Sequence, residues 1–87
     1  MEIRLIEESE NDLAYWEKTH NSKVLKRISE LLASIEANPT QGIGNPEPLK
    51  HKLSGYWSRR INKENRIVYK IDVDIVWVIS LKGHYNR

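Results

Sequence analysis

The spacing of the apolar residues changes once along the chain, and this change limits the possible folds more than any other feature. Between residues 24 and 35 the apolar residues recur at steps of one, three and four, which predicts an amphipathic helix. From residue 56 to residue 82 the period changes to two, in three runs that cover residues 56–61, 66–71 and 75–82. A period of two is typical of half-buried strands. We therefore expect an α+β fold with an antiparallel meander.

Local signals predict the other elements and where they end. Residues 2–6 read as a short strand, and Ser9 with the acidic residues after it predicts a capped first helix over residues 10–18. Asn21 or Ser22 can cap the second helix, and Asn38-Pro39 ends it. The glycines and prolines of residues 39–48 predict a loop rather than a helix or a central strand. The predicted order is β-α-α-β-β-β, in a single domain that covers residues 1–87.

The connections within the meander predict its register. Three-residue connections at 62–64 and 72–74 would pair Ile61 with Asn65 and Ile71 with Ile75, so residues of like parity would share a face. The odd positions then form an apolar face: Trp57, Ile61, Ile67, Tyr69, Ile71, Ile75, Trp77, Ile79 and Leu81. The even positions form the opposite face: Tyr56, Ser58, Arg60, Arg66, Val68, Lys70, Val76, Val78, Ser80, Lys82 and, beyond them, His84.

The two faces predict the layers of the fold. We expect both helices to cover the odd face of a small, twisted, mainly antiparallel sheet, which leaves the even face open and cationic. Parity turns Arg59 toward the helices. Trp16, Trp57 and Trp77 are predicted to pack in the core, since large aromatic residues on an apolar face are usually buried.

Charge is distributed unevenly along the chain. Residues 1–48 carry five Lys and Arg against nine Asp and Glu, a net −4, whereas residues 49–87 carry nine against three, a net +6. A basic half favours an anionic partner, most commonly nucleic acid and next an acidic protein. The chain has no cysteine, so a thiolate metal site is excluded. No apolar run approaches the roughly 20 residues that span a bilayer, and no secretory signal is evident, so we expect a cytoplasmic protein.

Residues 47–85 include side chains that could cleave RNA without a metal or another cofactor. Such cleavage needs a base for the 2′-hydroxyl proton, a cation for the charge that grows on the phosphoryl oxygens, and an acid for the departing 5′-oxygen. Glu47 can be the base, Arg66 can clamp the phosphoryl oxygens, and His84 can be the acid. Further candidates are the cations that could hold the phosphate and the aromatic residues that could stack on a base: Lys50, His51, Arg60, Tyr56 and Tyr85.

Each of these residues also has an ordinary interpretation. Glu47 could be a solvated loop acid, Arg60 a charge that guards a strand edge against aggregation, and His84 a surface histidine near the chain end. A metal site built from Glu47, His51 and His84 is disfavoured, because the neighbouring cations would repel a dication. From residue chemistry alone, the nuclease assignment is one of several.

Three segments resemble one toxin family. The string PEPLKHKLSGYWSRRI at residues 46–61, NRIVY at 65–69 and the His84-Tyr85 pair resemble the YoeB branch of the RelE/ParE toxin superfamily. This resemblance implies a RelE-like, microbial RNase-like fold. It also implies a type II toxin that cleaves translated messenger RNA in the ribosomal A site, is held inactive by a YefM-like antitoxin, and forms a homodimer and a toxin–antitoxin hetero-oligomer.

The resemblance also assigns roles to particular residues. It implies catalytic roles for Glu47, Arg66, His84 and Tyr85, with support from Lys50, His51 and Arg60. Family chains commonly end at the His-Tyr pair, whereas Asn86 and Arg87 follow it here. Two alternatives stay open at this point: a non-catalytic ParE-like toxin that binds gyrase, and an RNA-binding module.

Overall fold

The protein forms one mixed sheet with two helices packed on one face, in a computed structural model that describes residues 1–50 and 55–83. The elements in that part of the chain are β1 (Glu2–Leu5), α1 (Glu7–Lys18), α2 (Ser22–Ala37), β2 (Glu47–Pro48), β3 (Tyr56–Arg60), β4 (Arg66–Asp72) and β5 (Ile75–Ser80). The strand order is β1-β5-β4-β3-β2, in which β1 is parallel to β5 and the other pairs are antiparallel. The α+β prediction is confirmed, with β2 as an added edge strand.

The two helices differ in how well their starts were predicted. The Asn21 side chain accepts a hydrogen bond of 3.1 Å from the Val24 N–H, which confirms it as the cap of α2. In contrast, α1 begins at Glu7, so the predicted start near residue 10 and the cap at Ser9 are wrong. Ser9 is buried, and its hydroxyl lies 2.8 Å from the Val78 carbonyl and 2.9 Å from that of Ile6. Its hydroxyl therefore ties α1 to the sheet instead of capping the helix.

The first hairpin has the predicted register and the second does not. Arg60 pairs with Arg66, as expected, but Asp72 pairs with Ile75, so a two-residue turn at Val73-Asp74 replaces the expected three-residue connection. This slip of one residue exchanges the faces of β5. A bulge between Val68 and Tyr69 shifts the register by one more residue. Beyond the bulge Val68 pairs with Ser80, so residues of like parity share a face again, as predicted.

The slip changes which residues of β5 enter the core. Val76 and Val78 are fully buried, whereas Ile75, Trp77 and Ile79 are only partly buried, the reverse of the prediction. The prediction of a core role for Trp77 is thus wrong. Its ring instead lies 5.7 Å from the guanidinium carbon of Arg4.

Trp16 lies in the core, as predicted. Trp57 is partly buried and packs against this core. Trp16 Nε1 donates to the Leu81 carbonyl at 2.9 Å. Residues of α2, β4 and β5, with one residue just after β3 and one just after β5, complete the core: Val24, Ile28, Leu31, Ile35, Ile61, Ile67, Tyr69, Val76, Val78 and Leu81. No helix within residues 1–50 and 55–83 is long and apolar enough to cross a membrane.

The sheet face that points away from the helices, called here the helix-free face, is cationic at its margins. Arg60 and Lys70 are exposed there, whereas the ammonium nitrogen of Lys82, which was predicted on this face, lies 4.6 Å from the centre of the Tyr15 ring on α1. Its centre is not open as predicted, because Ser58 and Val68 are buried. A small polar side chain thus lies between the strand that carries Glu47 and the strand that carries Arg66.

Candidate active site

Glu47 lies on the sheet rather than in a free loop. Glu47 pairs with Ser58 and Pro48 pairs with Trp57, while the Leu49 N–H donates to the Tyr56 carbonyl at 2.8 Å. The prediction of a loop up to residue 48 is therefore wrong for the last two residues. Proline fits an edge strand because its missing N–H removes a donor that a central strand would need. This short strand brings the Glu47 carboxylate onto the helix-free face.

Glu47 and Arg66 meet on this face. The distance from Arg66 Nη1 to Glu47 Oε1 is 3.6 Å, which is an ion pair slightly longer than a hydrogen bond. The Glu47 side chain is 53% exposed and that of Arg66 17%. An ion pair at this distance with one partner half exposed contributes little to stability, on the order of 0–1 kcal/mol. Both groups therefore remain available to a substrate.

Arg60 lies directly opposite Arg66 in the sheet. Arg60 and Arg66 are directly paired across β3 and β4, and the backbone N–H of Arg66 donates to the Gly83 carbonyl at 3.0 Å. Like charges on directly opposite residues are destabilising, and a bound anion would remove that cost. The predicted role of Arg60 as a phosphate ligand fits this position and stays a prediction.

Two further predicted contact residues lie on the same side of the sheet or at its edge. Tyr56 pairs with Lys70, and the ammonium nitrogen of Lys70 lies 5.4 Å from the centre of the Tyr56 ring. Lys50 is exposed and follows Leu49 at the outer edge. Tyr56 can therefore offer a ring face to a base while a cation stands close to it.

Three predicted site residues lie outside the described residues. These are His51, His84 and Tyr85. Their roles as phosphate ligand, proton donor and stacking partner stay predictions. The structure thus brings together Glu47, Arg66 and Arg60 from the predicted set.

Sequence reasoning missed the residues that hold this arrangement in place. Ser58 was assigned only to a face, although it lies beside Glu47 in the sheet. Arg59 was assigned to the helix side, but no signal in the sequence revealed how many groups it contacts. Parity predicts the direction of a side chain and not its partners.

Comparison with known proteins connects this geometry with a family. A family described as YoeB-like toxin of bacterial type II toxin-antitoxin system matches residues 5–85. The chain belongs to this family. Toxin YoeB from Synechocystis is 48% identical over 87 residues, which is the full length of both chains.

Solved structures of YoeB proteins have the same fold. A YoeB dimer from Staphylococcus aureus superposes with a TM-score of 0.86 at 42% identity, and a YoeB–YefM complex from the same organism with 0.85 at 43%. Each comparison covers 98% of both chains. The resemblance of the sequence to YoeB toxins is thereby confirmed, as is the α+β fold.

Proposed function

We propose that this YoeB-family toxin is a ribosome-dependent endoribonuclease that cleaves translated messenger RNA in the ribosomal A site and so inhibits translation. The observation that carries the proposal is the Glu47 carboxylate 3.6 Å from the Arg66 guanidinium, on a face with cationic margins. A base and a phosphate-binding cation at this distance can act on one nucleotide. A module that only binds RNA has no need for the carboxylate, which would repel phosphate.

The proposed reaction is a transfer within one nucleotide. Glu47 takes the proton of the 2′-hydroxyl, and the 2′-oxygen attacks the adjacent phosphorus. Arg66 neutralises the charge that grows on the phosphoryl oxygens through paired N–H donors. His84 gives a proton to the 5′-oxygen as its bond to phosphorus breaks, which leaves a 2′,3′-cyclic phosphate and a 5′-hydroxyl. The two proton transfers and the attack on phosphorus do not require a metal ion.

Glu47 and the scissile phosphate would compete for Arg66. In the structure, Glu47 is the anion beside Arg66. A scissile phosphate would replace it, because a bidentate guanidinium–phosphate contact is stronger than a solvent-screened pair at 3.6 Å. Glu47 would then be free to accept a proton. Arg60, Lys50 and His51 would hold neighbouring phosphates, and two aromatic residues would stack on bases: Tyr56 and Tyr85.

The partners follow from the same surface and from the relatives. The Staphylococcus aureus relative forms a complex with YefM and also a dimer. We propose that this chain likewise binds a YefM-like antitoxin and forms a homodimer. An acidic antitoxin segment on the helix-free face would cover Glu47 and Arg66 and keep the toxin inactive. Action on translating ribosomes places the protein in the cytoplasm.

The test uses purified ribosomes stalled on a defined message. Primer extension should reveal new 5′ ends with the wild-type toxin. Glu47→Gln and His84→Ala should each lower the single-turnover cleavage rate by about 10²–10⁴-fold, since each removes one proton transfer. Glu64→Gln, a carboxylate at the exposed tip of the first hairpin, is the matched control and should cleave at the wild-type rate.

Two results would contradict this proposal. One is cleavage by Glu47→Gln at the wild-type rate. The other is altered plasmid supercoiling in cells that express the toxin, without new message ends, since this would indicate a gyrase-binding toxin.

A further inference from the structure

Arg59 is a buried cation whose partners all lie inside the protein. It is fully buried on the helix side of β3, next to Arg60 on the exposed side. Its three nitrogens make five hydrogen bonds, which matches the five donors of a guanidinium. A buried charge is tolerated only when it is well hydrogen-bonded, so this bonding is a condition of the fold.

The partners of Arg59 are carbonyls and hydroxyls. Nη2 donates to the Asn38 carbonyl at 2.7 Å and the Gln41 carbonyl at 3.1 Å, and Nη1 donates to the Ile43 carbonyl at 3.1 Å. Two hydroxyls complete the set: Ser34 Oγ accepts from Nη1 at 2.8 Å, and the Tyr69 hydroxyl accepts from Nε at 3.0 Å. Three of the five bonds thus go to the backbone of one short segment, residues 38–43, which follows α2.

Other contacts hold the same segment. The Tyr69 hydroxyl donates to the Pro39 carbonyl at 2.6 Å, and the Ile43 N–H donates to Ser34 Oγ at 3.3 Å. Gly42 has a φ of +132°, and a Cβ built there would overlap Ser34 Oγ. The segment therefore packs too closely on this cluster to admit a side chain at Gly42.

Three consecutive residues of β3 hold the connection that leads to Glu47. The Arg59 side chain binds residues 38–43, the Arg60 N–H donates to the Gly44 carbonyl at 2.7 Å, and Ser58 pairs with Glu47. The strand that carries Glu47 has only two residues, one of them a proline without an N–H. Such a strand makes few ladder bonds, so its place depends on the anchored segment before it.

We infer that Arg59 is a positioning residue for Glu47. Its buried guanidinium fixes the path of residues 38–43, and this path sets the place of the carboxylate beside Arg66. The relation to catalysis rests on the proposed role of Glu47 as the base, whereas the relation to the position of β2 rests on the hydrogen bonds alone. The two parts are tested separately.

The first test measures amide hydrogen exchange and needs no activity. Ser34→Ala removes one acceptor of Arg59 and one of the Ile43 N–H while leaving the guanidinium in place. The amides of Arg60 and Leu49, which bond to Gly44 and Tyr56, should exchange about 10-fold faster or more. Amides between β4 and β5 should be unchanged. Ser29→Ala, an exposed serine on the same helix, is the matched control and should change neither group.

Two outcomes of the exchange experiment would overturn the inference. Unchanged exchange at Arg60 and Leu49 would mean that the cluster does not hold β2. An equal acceleration of all amides would mean that Ser34 only adds to global stability. Arg59→Lys provides a second variant: it keeps the charge but loses the fork of donors, and it should give the same local pattern more strongly.

The second test measures steady-state cleavage over a range of ribosome concentrations, which separates kcat from KM. Ser34→Ala should lower kcat about 10-fold with little change in KM, because a displaced base impairs the chemical step more than binding. In a Glu47→Gln background, Ser34→Ala should cause no further loss, since there is no base left to position. An additive loss would refute the positioning role.

The two failures can be distinguished. If Glu47→Gln cleaves normally, the proposed function is wrong, while the exchange result still decides whether Arg59 holds β2. If Glu47→Gln is inactive and Ser34→Ala alters neither exchange nor kcat, the inference about Arg59 is wrong and the proposed function stands.

Discussion

The hydroxyl of Tyr69 connects the buried guanidinium with the segment after α2, so removing it tests the whole cluster. It accepts a hydrogen bond of 3.0 Å from Arg59 Nε and donates one of 2.6 Å to the Pro39 carbonyl. Tyr69→Phe keeps the buried ring, whose centre lies 5.8 Å from the guanidinium carbon of Arg59. The change therefore deletes two hydrogen bonds with almost no loss of packing.

The cost can be estimated from what the substitution leaves behind. An unpaired donor of a buried cation costs about 1.5–3 kcal/mol, and an unpaired carbonyl about 1 kcal/mol. We expect the free energy of unfolding to fall by about 3 kcal/mol, a large share of the roughly 5–15 kcal/mol of a typical domain. For a domain of this size the melting temperature should fall by roughly 12–24 °C.

Urea unfolding followed by tryptophan fluorescence measures this effect, with an unchanged m-value as the sign that only stability has altered. Tyr15→Phe is the matched control, because Tyr15 is 45% exposed, and its free energy of unfolding should stay within about 0.5 kcal/mol of the wild type. If Tyr69→Phe is as stable as Tyr15→Phe, the hydrogen bonds of the cluster do not carry the energy assigned to them.

Three further predictions concern pH, a turn and the cationic face. Burial raises the pKa of Tyr69, and the hydrogen bond and charge of Arg59 lower it by a smaller amount. The pKa of Tyr69 in the folded protein therefore lies above its value in the unfolded chain, which is near 10. The stability that the neutral hydroxyl contributes is complete below about pH 10 and is lost as the pH rises through the folded-state pKa. Urea unfolding across pH 9–12 should therefore show a shallower alkaline loss in Tyr69→Phe than in the wild type, and parallel curves would contradict this. Val73 is exposed and has a φ of +53°, which is unfavourable for a β-branched residue. Val73→Gly should therefore stabilise the protein by about 0.5–1 kcal/mol in the same assay. A loss of stability would refute the argument. Arg60→Ala should weaken binding of single-stranded RNA and reduce the slope of log K against log salt by about 0.7, as expected for one lost phosphate contact; an unchanged slope would show that Arg60 does not bind phosphate.

The sequence determined the elements that depend on short-range signals. The amphipathic period and the Asn21 cap predicted α2, because a helix face and a cap are built from neighbours three or four residues apart. The first hairpin was also predicted in register, because its three-residue connection at residues 62–64 brings Ile61 opposite Asn65. The YoeB resemblance named Glu47 and Arg66 from motifs that do not depend on their distance in space.

Tertiary structure decided the features for which the sequence offered no contrast. Residues 75–79 are apolar on both faces of β5. A slip of one residue in the second hairpin moves Trp77 out of the core and Val76 and Val78 into it, and the apolar pattern of the sequence does not distinguish the two registers. The strand at Glu47 has no period of its own and forms only because β3 lies beside it.

Long-range contacts also decided the position of the site. Parity placed Arg59 on the helix side, but its partners come from α2, β4 and the segment between α2 and β2, which no local spacing could bring together. The 3.6 Å between Glu47 and Arg66 likewise follows from strand pairing across the sheet. A sequence determines which side chains are present and what their close neighbours favour, whereas the approach of distant segments depends on packing energy summed over the whole core.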